Sequence, residues 1–321
     1  MPIRVLDHAT VAALIDPLAI IDSQRAVFAA YARGEVALAP RGLLPGPDGS
    51  TAFAYAARAG ERAGAVAKFG SVNPANVAAG RPAISATILA QDPTTGRLAA
   101  ILDGEAVTTA RTAAASAVAA QLLAAPGPGR VAVLGAGVQA RAHLRALAAV
   151  GLLGEAVVIG RSAGSADALV TELGPELGVP LAAGTLSQVG DAAIVVCATT
   201  STEPVLDAGD VASGALVISV GSFAPHAAEL TPALLDRAGL VVVDDIATAR
   251  EQAGCLVRAG AAGVRPRLHA LGELLNDPPG RDPERIVVYN SVGLGFQDAA
   301  AVAPILAAAA EQDAGRLIEL G

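Results

Sequence analysis

A glycine-rich turn between a short apolar run and a helix-like segment constrains the fold of this chain more than any other feature. The turn, Gly135-Ala136-Gly137-Val138-Gln139-Ala140, follows the apolar run at residues 131–134. In this context the first glycine makes a tight turn, and the second lets the backbone approach a pyrophosphate that the helix N-terminus stabilises. The motif predicts a dinucleotide-binding Rossmann domain, with cofactor contacts from Gly135, Gly137, Val138 and Gln139.

The segments on either side of this turn indicate the fold class. Downstream, apolar runs alternate with helix-like stretches, a pattern typical of βαβ units in a parallel sheet; the runs cover residues 156–159, 193–196, 215–218 and 240–243. Upstream, the pattern predicts a helix at 11–33, short strands and an Ala-rich helix from Arg111 to Ala125. A Pro-Gly cluster at 126–130 is the expected linker, and a last helix is expected at 296–315. The chain is therefore predicted to be an α/β protein that combines a doubly wound Rossmann domain with an α+β domain.

Residues after the strands indicate which cofactor the Rossmann domain prefers. Ligands bind outside the carboxyl ends of parallel strands, so we expect Ala198, Thr199 and Val220 to line the cleft. An NAD site usually has an acidic residue after its second strand, but this chain has Arg161 and Ser162 there, and the next acid is Asp167. A guanidinium and a hydroxyl can hold a 2′-phosphate, so NADPH is the predicted cofactor, with NADH as the alternative.

Composition excludes several other classes of protein. The net charge of −8 and an aromatic content of 2% argue against nucleic-acid binding by phosphate contact or base stacking. Cys197 and Cys255 lie in no disulfide or metal-binding pattern, so we expect a reduced, cytoplasmic setting and no metal site. We expect no signal peptide and no membrane span, because the sequence shows no apolar run at residues 1–10 and its uncharged stretches are interrupted by Gly and Pro.

Lysine usage points to one functional residue. Lys68 is the only lysine among the 22 Lys and Arg residues. A chain that uses arginine wherever either cation suffices is expected to keep lysine only where a compact, titratable amine is needed. Lys68 is therefore the candidate catalytic residue.

The order of the motifs resembles the ornithine cyclodeaminase/mu-crystallin family over nearly the whole chain. The element at residues 103–114, Asp-Gly followed by Thr-x-Arg-Thr-Ala-Ala, is the most specific of them. The other matching stretches are Ala67-Lys68-Phe69, Asn73-Pro74-Ala75-Asn76, Gly80-Arg81-Pro82, the glycine turn, Ser219-Val220-Gly221, and Asn290-Ser291-Val292-Gly293 with Asp298.

This resemblance implies a two-domain homodimer. Residues 1–125, completed by 290–321, would bind substrate and form the dimer, and the inserted NAD(P)-binding domain would cover 126–289. By matching position, a substrate carboxylate would be held by Arg41, Lys68 and Arg111, with Ser85 as a further substrate-side candidate. The same matching implies cofactor contacts from Arg111 and Thr112, expected at a helix start, and from Ser291 and Gly293.

One departure from the family pattern bears on the reaction. Cyclodeaminases of this family carry an Asp and a Lys where this chain has Phe223 and Ala227. Phenylalanine cannot act as a base, which disfavours ornithine cyclodeamination. The Phe223 version resembles the branch that reduces cyclic imino acids such as Δ1-pyrroline-2-carboxylate, in which Phe223 would form an apolar wall over the substrate ring or the nicotinamide. A histidine is common near position 85 in that branch, so Ser85 leaves the exact substrate open.

The sequence thus predicts an NAD(P)H-dependent oxidoreductase that acts on a C=N bond. The favoured reaction converts Δ1-pyrroline-2-carboxylate to proline, with Δ1-piperideine-2-carboxylate as a related substrate. Three alternatives stay open: an amino-acid dehydrogenase or iminosuccinate-type reductase acting on an acyclic imino or 2-oxo acid, an ornithine cyclodeaminase, and a non-catalytic NADPH-linked binder of small ligands. The sequence also leaves open whether Lys68 donates a proton or only anchors the carboxylate.

Overall fold

The computed structural model describes residues 2–46, 49–73, 75–81, 84–280 and 282–319. Pro74 and Pro82, which belong to two of the motifs above, lie outside the described residues. The chain divides into two compact units. Unit 1 comprises Met1–Arg111 with Leu294–Gly321, and unit 2 comprises Thr112–Gly293. The domain bounds expected from the linker differ from this division and stay a prediction.

The strands of the described residues are numbered in chain order. They are β1 Ile3–Leu6, β2 Ala37–Leu38, β3 Gly42–Pro45, β4 Thr51–Arg58, β5 Val66–Val72, β6 Ile84–Gln91, β7 Leu98–Asp103, β8 Gly129–Leu134, β9 Leu153–Ile159, β10 Leu181–Ala183, β11 Ile194–Cys197, β12 Leu216–Ser219, β13 Leu240–Val243, β14 Leu268–Ala270, β15 Val287–Asn290 and β16 Arg316–Ile318.

The helices are numbered in the same way. They are α1 His8–Leu14, α2 Pro17–Ala32, α3 Ala75–Ala78, α4 Gly104–Leu123, α5 Val138–Ala149, α6 Ala163–Leu177, α7 Pro232–Arg237, α8 Ile246–Gln252, α9 Gly254–Ala261, α10 Leu271–Asn276 and α11 Gly295–Glu311.

Unit 1 is built on a mixed sheet with the order β16-β1-β7-β6-β5-β4-β2, to which β3 adds by pairing with β4. Only β1 and β7 run parallel among these pairs. Side chains alternate across the sheet, so Val66, Lys68 and Gly70 of β5 point to one face. That face is buried, and α11 packs on β4 and β5 and against α2. We call it the inner face and the opposite one the outer face.

Unit 2 is a doubly wound Rossmann fold, as the glycine turn predicts. Its sheet has the order β10-β9-β8-β11-β12-β15-β13-β14, and each pairing is parallel. The chain leaves β8 toward β9 and β10 on one side and then returns to β11 on the other. The strand order therefore reverses between β8 and β11, and ligands of such sheets bind at this switch point.

Two helix boundaries expected from the sequence are wrong. The stretch at 11–33 is two helices, because the Asp16 side chain accepts from the N–H of Leu18 (3.0 Å) and Pro17 opens α2. The Ala-rich helix begins at Gly104 rather than Arg111, because Asp103 accepts from the N–H of Ala106 (2.8 Å). Arg111 therefore lies about two turns inside α4, away from the positive end of the helix dipole.

The other boundaries differ less. The expected linker at 126–130 is shorter, because β8 already begins at Gly129. The last helix ends at Glu311, and the chain then forms β16 on the edge of the unit 1 sheet. Within the described residues, we find no helix with the length and apolarity that a membrane crossing requires.

Candidate active site

Lys68 lies in the middle of β5, with its side chain on the inner face of the unit 1 sheet. It pairs with Tyr55 of β4 and with Ile88 of β6, and only 4% of it is exposed. A buried ammonium is costly unless charged or polar groups surround it. The residues around Lys68 therefore determine what this position can do.

Asp298, in the first turn of α11, is the carboxylate that meets Lys68. Its Oδ1 accepts a hydrogen bond from Lys68 Nζ (3.0 Å) and lies 3.5 Å from Arg111 Nε. Its Oδ2 accepts from the Tyr55 hydroxyl (2.7 Å). Asp298 is fully buried, so these interactions replace the water that the carboxylate would otherwise bind.

The remaining neighbours complete what we call the cation cluster: Arg41, Lys68 and Arg111 around Asp298. Lys68 Nζ also donates to the Thr108 hydroxyl of α4, and Arg111 Nη1 lies 3.5 Å from Gln297 Oε1. The Arg41 guanidinium carbon lies 5.4 Å from the centre of the Tyr55 ring. Two cations contact the carboxylate and a third lies beside Tyr55, so the cluster carries a surplus of positive charge that suits an anionic ligand.

Burial and charge oppose one another at this cluster. Burial lowers the pKa of Lys68, Asp298 raises it again, and Arg111 and Arg41 lower it further. Burial acts to raise the pKa of Asp298, but the charges of Lys68 and Arg111 outweigh it, so that pKa lies below its usual value. Burial, with Asp298 beside it, raises the pKa of Tyr55 well above its usual value, which keeps the phenol protonated.

Of the predicted substrate-side residues in unit 1, three lie together and one lies apart. Arg41, Lys68 and Arg111 meet in the cation cluster. Ser85 pairs with Ser71 on β5 and lies on the outer face, opposite Lys68. Asp298 was predicted only as part of a family motif, and Tyr55 and Gln297 had no predicted role. An acid inside an apolar, Ala-rich stretch was the one available signal for Asp298.

In unit 2, the glycine turn has the geometry that a nucleotide requires. Gly135 has φ +112°, and a Cβ there would lie 2.4 Å from the Ala198 carbonyl oxygen, so only glycine fits. At Gly137 a Cβ would meet nothing within 4 Å, so the turn is open where a phosphate would approach. Ala140 is fully buried against the sheet. The residues therefore fit a dinucleotide at the switch point between β8 and β11.

Glu229 joins the ends of β11 and β12, a role that the sequence did not reveal. Its Oε1 accepts from the N–H (2.6 Å) and hydroxyl (2.8 Å) of Thr199, and its Oε2 accepts from the Ser219 hydroxyl (2.8 Å) and the Gly221 N–H (2.8 Å). Burial raises the pKa of Glu229, and these four donors act against that rise. The predicted cofactor residues Ala198, Thr199 and Val220 therefore belong to two loops that one buried carboxylate holds.

Asp244 does the same for the loop that follows β15. It accepts from the Tyr289 hydroxyl, from the Ser291 hydroxyl (2.8 Å) and from the N–H groups of Val292 (3.0 Å) and Gly293 (2.9 Å). Ser291 and Gly293 are predicted cofactor residues, and the Ser291 hydroxyl already donates its hydrogen bond to Asp244. Only the hydroxyl oxygen of Ser291 is left to accept a bond from a ligand.

The remaining predicted residues differ in exposure. Arg161 and Ser162 are exposed after β9, which lies beside β8 in the sheet. Phe223 is 38% exposed in the loop after β12, and Thr112 is buried in α4. No group of three or more His, Cys, Asp or Glu side chains among the described residues could hold a metal ion.

Comparison with known proteins gives a consistent result. The sequence pattern of the ornithine cyclodeaminase/mu-crystallin family matches residues 4–313. Delta(1)-pyrroline-2-carboxylate reductase 2 of Burkholderia ambifaria is 36% identical over 80% of this chain and 81% of its own. The structure of Thermococcus litoralis Delta(1)-pyrroline-2-carboxylate reductase in complex with NADH and L-proline superposes with a TM-score of 0.93 at 27% identity, covering 98% of this chain and 100% of that one. An archaeal alanine dehydrogenase dimer with bound NAD gives 0.93 at 27% identity, covering 100% of both chains.

Proposed function

This chain belongs to the ornithine cyclodeaminase/mu-crystallin family, and we propose that it reduces the cyclic imino acid Δ1-pyrroline-2-carboxylate to proline with NAD(P)H. The observation that carries the proposal is the cation cluster, whose surplus positive charge suits the carboxylate of an α-imino acid. The named reductase relative and the neighbour that holds NADH and L-proline support the same substrate class. Δ1-Piperideine-2-carboxylate, one methylene larger, is the related substrate to compare.

The residues of the cluster divide the work of binding and proton supply. Arg41 and Arg111 anchor the substrate carboxylate, and Lys68 supplies the proton that the imine nitrogen gains. A bound NAD(P)H would supply the hydride, with its electron pair, to the imine carbon. Bond formation at nitrogen and carbon then gives the secondary amine, and Lys68 regains a proton from water.

The geometry of unit 2 supports the proposed cofactor residues. The glycine turn and the start of α5 hold the phosphates, and the loops joined by Glu229 and Asp244 line the rest of the crevice. We propose NADPH over NADH, because Arg161 and Ser162 offer donors to a 2′-phosphate and no acidic residue precedes Asp167 in that segment. The contacts proposed for Arg111 and Thr112 on cofactor phosphate do not involve a helix N-terminus, since α4 begins at Gly104.

Phe223 argues against the cyclodeaminase alternative. It stands, partly exposed, in the loop after β12 at the position where cyclodeaminases of the family have an aspartate. Its ring can shield an apolar substrate ring or the nicotinamide but cannot take a proton from water. We therefore place this chain with the reductases of the family.

We also propose that the protein is a homodimer that pairs through the outer face of the unit 1 sheet. Large apolar side chains are exposed there, with Leu44 66%, Phe69 59% and Leu89 40% exposed. Exposed apolar groups in one area are typical of an interaction surface. Phe69→Glu is expected to convert a dimer into a monomer in light scattering after gel filtration, whereas a monomeric wild-type protein would contradict the proposal.

We propose that the protein is located in the cytoplasm, because its two cysteines form no disulfide. Cys197 and Cys255 are both buried free thiols, and burial raises the pKa of each, that of Cys255 to about 12. Neither thiol is therefore available as a thiolate for oxidation or disulfide exchange. Cell fractionation with an antibody to the protein tests the location directly.

The first experiment measures initial rates of nicotinamide oxidation with Δ1-pyrroline-2-carboxylate, in parallel with NADPH and NADH. Rapid oxidation that is faster with NADPH supports both the reaction and the cofactor preference. Faster oxidation of NADH keeps the reaction and overturns the preference. No oxidation with either cofactor removes the cyclic imine, and ammonia with a panel of 2-oxo acids then tests the acyclic alternative.

A further inference from the structure

Asp298 contacts Lys68, the residue that supplies the proton in the proposed reaction. Its Oδ1 binds the Lys68 ammonium at 3.0 Å, and its Oδ2 is occupied by the Tyr55 hydroxyl at 2.7 Å. It comes from the first turn of α11, whereas Lys68 comes from β5, so the contact fixes one element relative to the other. A carboxylate held on both oxygens has little freedom to rotate, and it fixes the direction in which the ammonium points.

We propose that Asp298 is a positioning residue, which fixes the Lys68 ammonium in place and keeps it charged when the substrate binds. The proposal rests on the proposed function, in which Lys68 supplies the proton for the imine nitrogen. Asp298 itself does not touch the substrate in this proposal. It acts through Lys68, and the arginines are left to bind the carboxylate of the ligand.

The charged groups around Lys68 explain why such a residue is needed. Arg111 of α4 and Arg41, just before β3, both repel the ammonium, and burial also acts against its charge. Tyr55 of β4 stays protonated, so its hydroxyl contributes no negative charge. Asp298 is the group in this set that attracts the ammonium, and its own pKa lies below the usual value, so it is ionised at neutral pH.

The single lysine allows this proposal to be tested without any substrate. Protein made with lysine carrying carbon-13 at Cε gives one side-chain resonance, and its pH titration reports the pKa of Lys68. We expect Asp298→Asn to lower that pKa by a further 1 to 3 units, roughly the effect of one opposite charge at this distance. Asp92→Asn is the control, because it removes a carboxylate of unit 1 that lies in the turn after β6 and is expected to leave the titration unchanged. An unchanged titration in Asp298→Asn overturns the proposal.

Activity then separates positioning from a purely structural role. The upper pH limit of kcat/KM for imine reduction is expected to move down in Asp298→Asn by the same number of units as the resonance. Asp298→Glu keeps the charge but displaces it by one methylene, so the pH limit is expected to stay while kcat falls about tenfold. A uniform loss of activity at every pH in Asp298→Asn contradicts the proposal.

The two readouts also separate this proposal from the proposed function. If the wild-type protein reduces no imine, the proposed function fails, and the resonance titration still decides whether Asp298 keeps Lys68 charged. If Asp298→Asn does not fold, Asp298→Glu decides: a lower kcat with an unchanged pH limit supports positioning, and an unchanged kcat overturns it.

Discussion

At the scale of single residues, Lys68 gives the sharpest prediction. Lys68→Arg keeps a positive charge for the carboxylate but replaces a titratable amine with a guanidinium that does not release its proton. We expect kcat for imine reduction to fall by about 100-fold or more, the range typical of a lost general acid, with a much smaller change in KM.

The neighbouring arginine provides the comparison for this variant. Arg111→Lys removes a guanidinium fork and keeps the charge, so we expect mainly a higher KM for the imino acid. Equal kcat values for Lys68→Arg and the wild-type enzyme would contradict a role for Lys68 in proton supply. A steady-state kinetic comparison of the two variants settles the point.

The cofactor preference is also a property of individual side chains. Arg161→Ala is expected to raise the KM for NADPH about tenfold, the cost of one charge-assisted phosphate contact, and to leave the KM for NADH nearly unchanged. Arg267→Ala removes another exposed arginine of unit 2 and serves as the control. If both cofactors lose affinity equally in Arg161→Ala, then Arg161 does not read the 2′-phosphate.

The sequence identified the cations of the site better than their partners. Lys68 stood out because it is the only lysine, and Arg41 and Arg111 followed from the resemblance. Asp298 lies 230 positions from Lys68 in the chain, and only the fold brings the two together. The position of Ser85 also became clear only from the strand pairing: it lies opposite Ser71 and therefore on the face that Lys68 does not occupy.

At the scale of secondary-structure elements, the hydrogen bonds of Glu229 predict that this carboxylate holds the ends of β11 and β12 in position for the cofactor. Glu229→Gln keeps the shape but replaces one acceptor oxygen by an NH₂ group, which faces donors from the ends of β11 and β12. We expect the Kd for NADPH to rise about tenfold, measured by nicotinamide fluorescence. Glu251→Gln changes an exposed glutamate of α8 and is expected to leave the Kd unchanged. Equal cofactor affinity in wild type and Glu229→Gln would show that the two loops hold their positions without this carboxylate.

Strands that consist of buried β-branched runs were predicted well, whereas a helix start that depends on a capping side chain was missed. The runs that became β11, β12 and β13 were placed within a residue or two, because buried β-branched runs are unambiguous in a parallel sheet. The start of α4 was missed because Asp103 ends a strand and caps a helix at once. The strands β10 and β14 have three residues each and show too little pattern to detect.

At the scale of the whole molecule, the parallel sheet of unit 2 was predicted from the alternation of apolar runs and helices, whereas the strand order of either sheet was not. In the sheet of unit 1 the start and the end of the chain pair with each other, with Ile3 opposite Ile318. Pairings between distant strands depend on tertiary packing, and no local sequence signal marks them. The resemblance indicated that the last helix returns to the first domain, and it gave no hint of β16.

Stability of the whole molecule is expected to depend on pH through His143. This fully buried residue of α5 lies between the Ser116 hydroxyl of α4 (2.8 Å) and the Gln139 carbonyl (2.7 Å), and burial lowers its pKa from 6.5 to about 4. The unfolded chain binds a proton at this histidine more readily than the folded protein does. The contribution of neutral His143 is therefore complete above about pH 6.5 and is lost as the pH falls toward 4.

The size of this effect makes it measurable by urea unfolding. Between pH 7 and pH 5, His143 alone is expected to reduce the free energy of unfolding by about 2 kcal/mol. His143→Ala is expected to be less stable at pH 7, because it leaves a cavity between α4 and α5, but to lose that much less stability on acidification. His226→Ala, which removes an exposed histidine, is the comparison variant. An equal loss of stability in His143→Ala and the wild-type protein between the two pH values would contradict this prediction. His143 would then be protonated in the folded protein and would connect α4 and α5 as a charged hydrogen-bond donor.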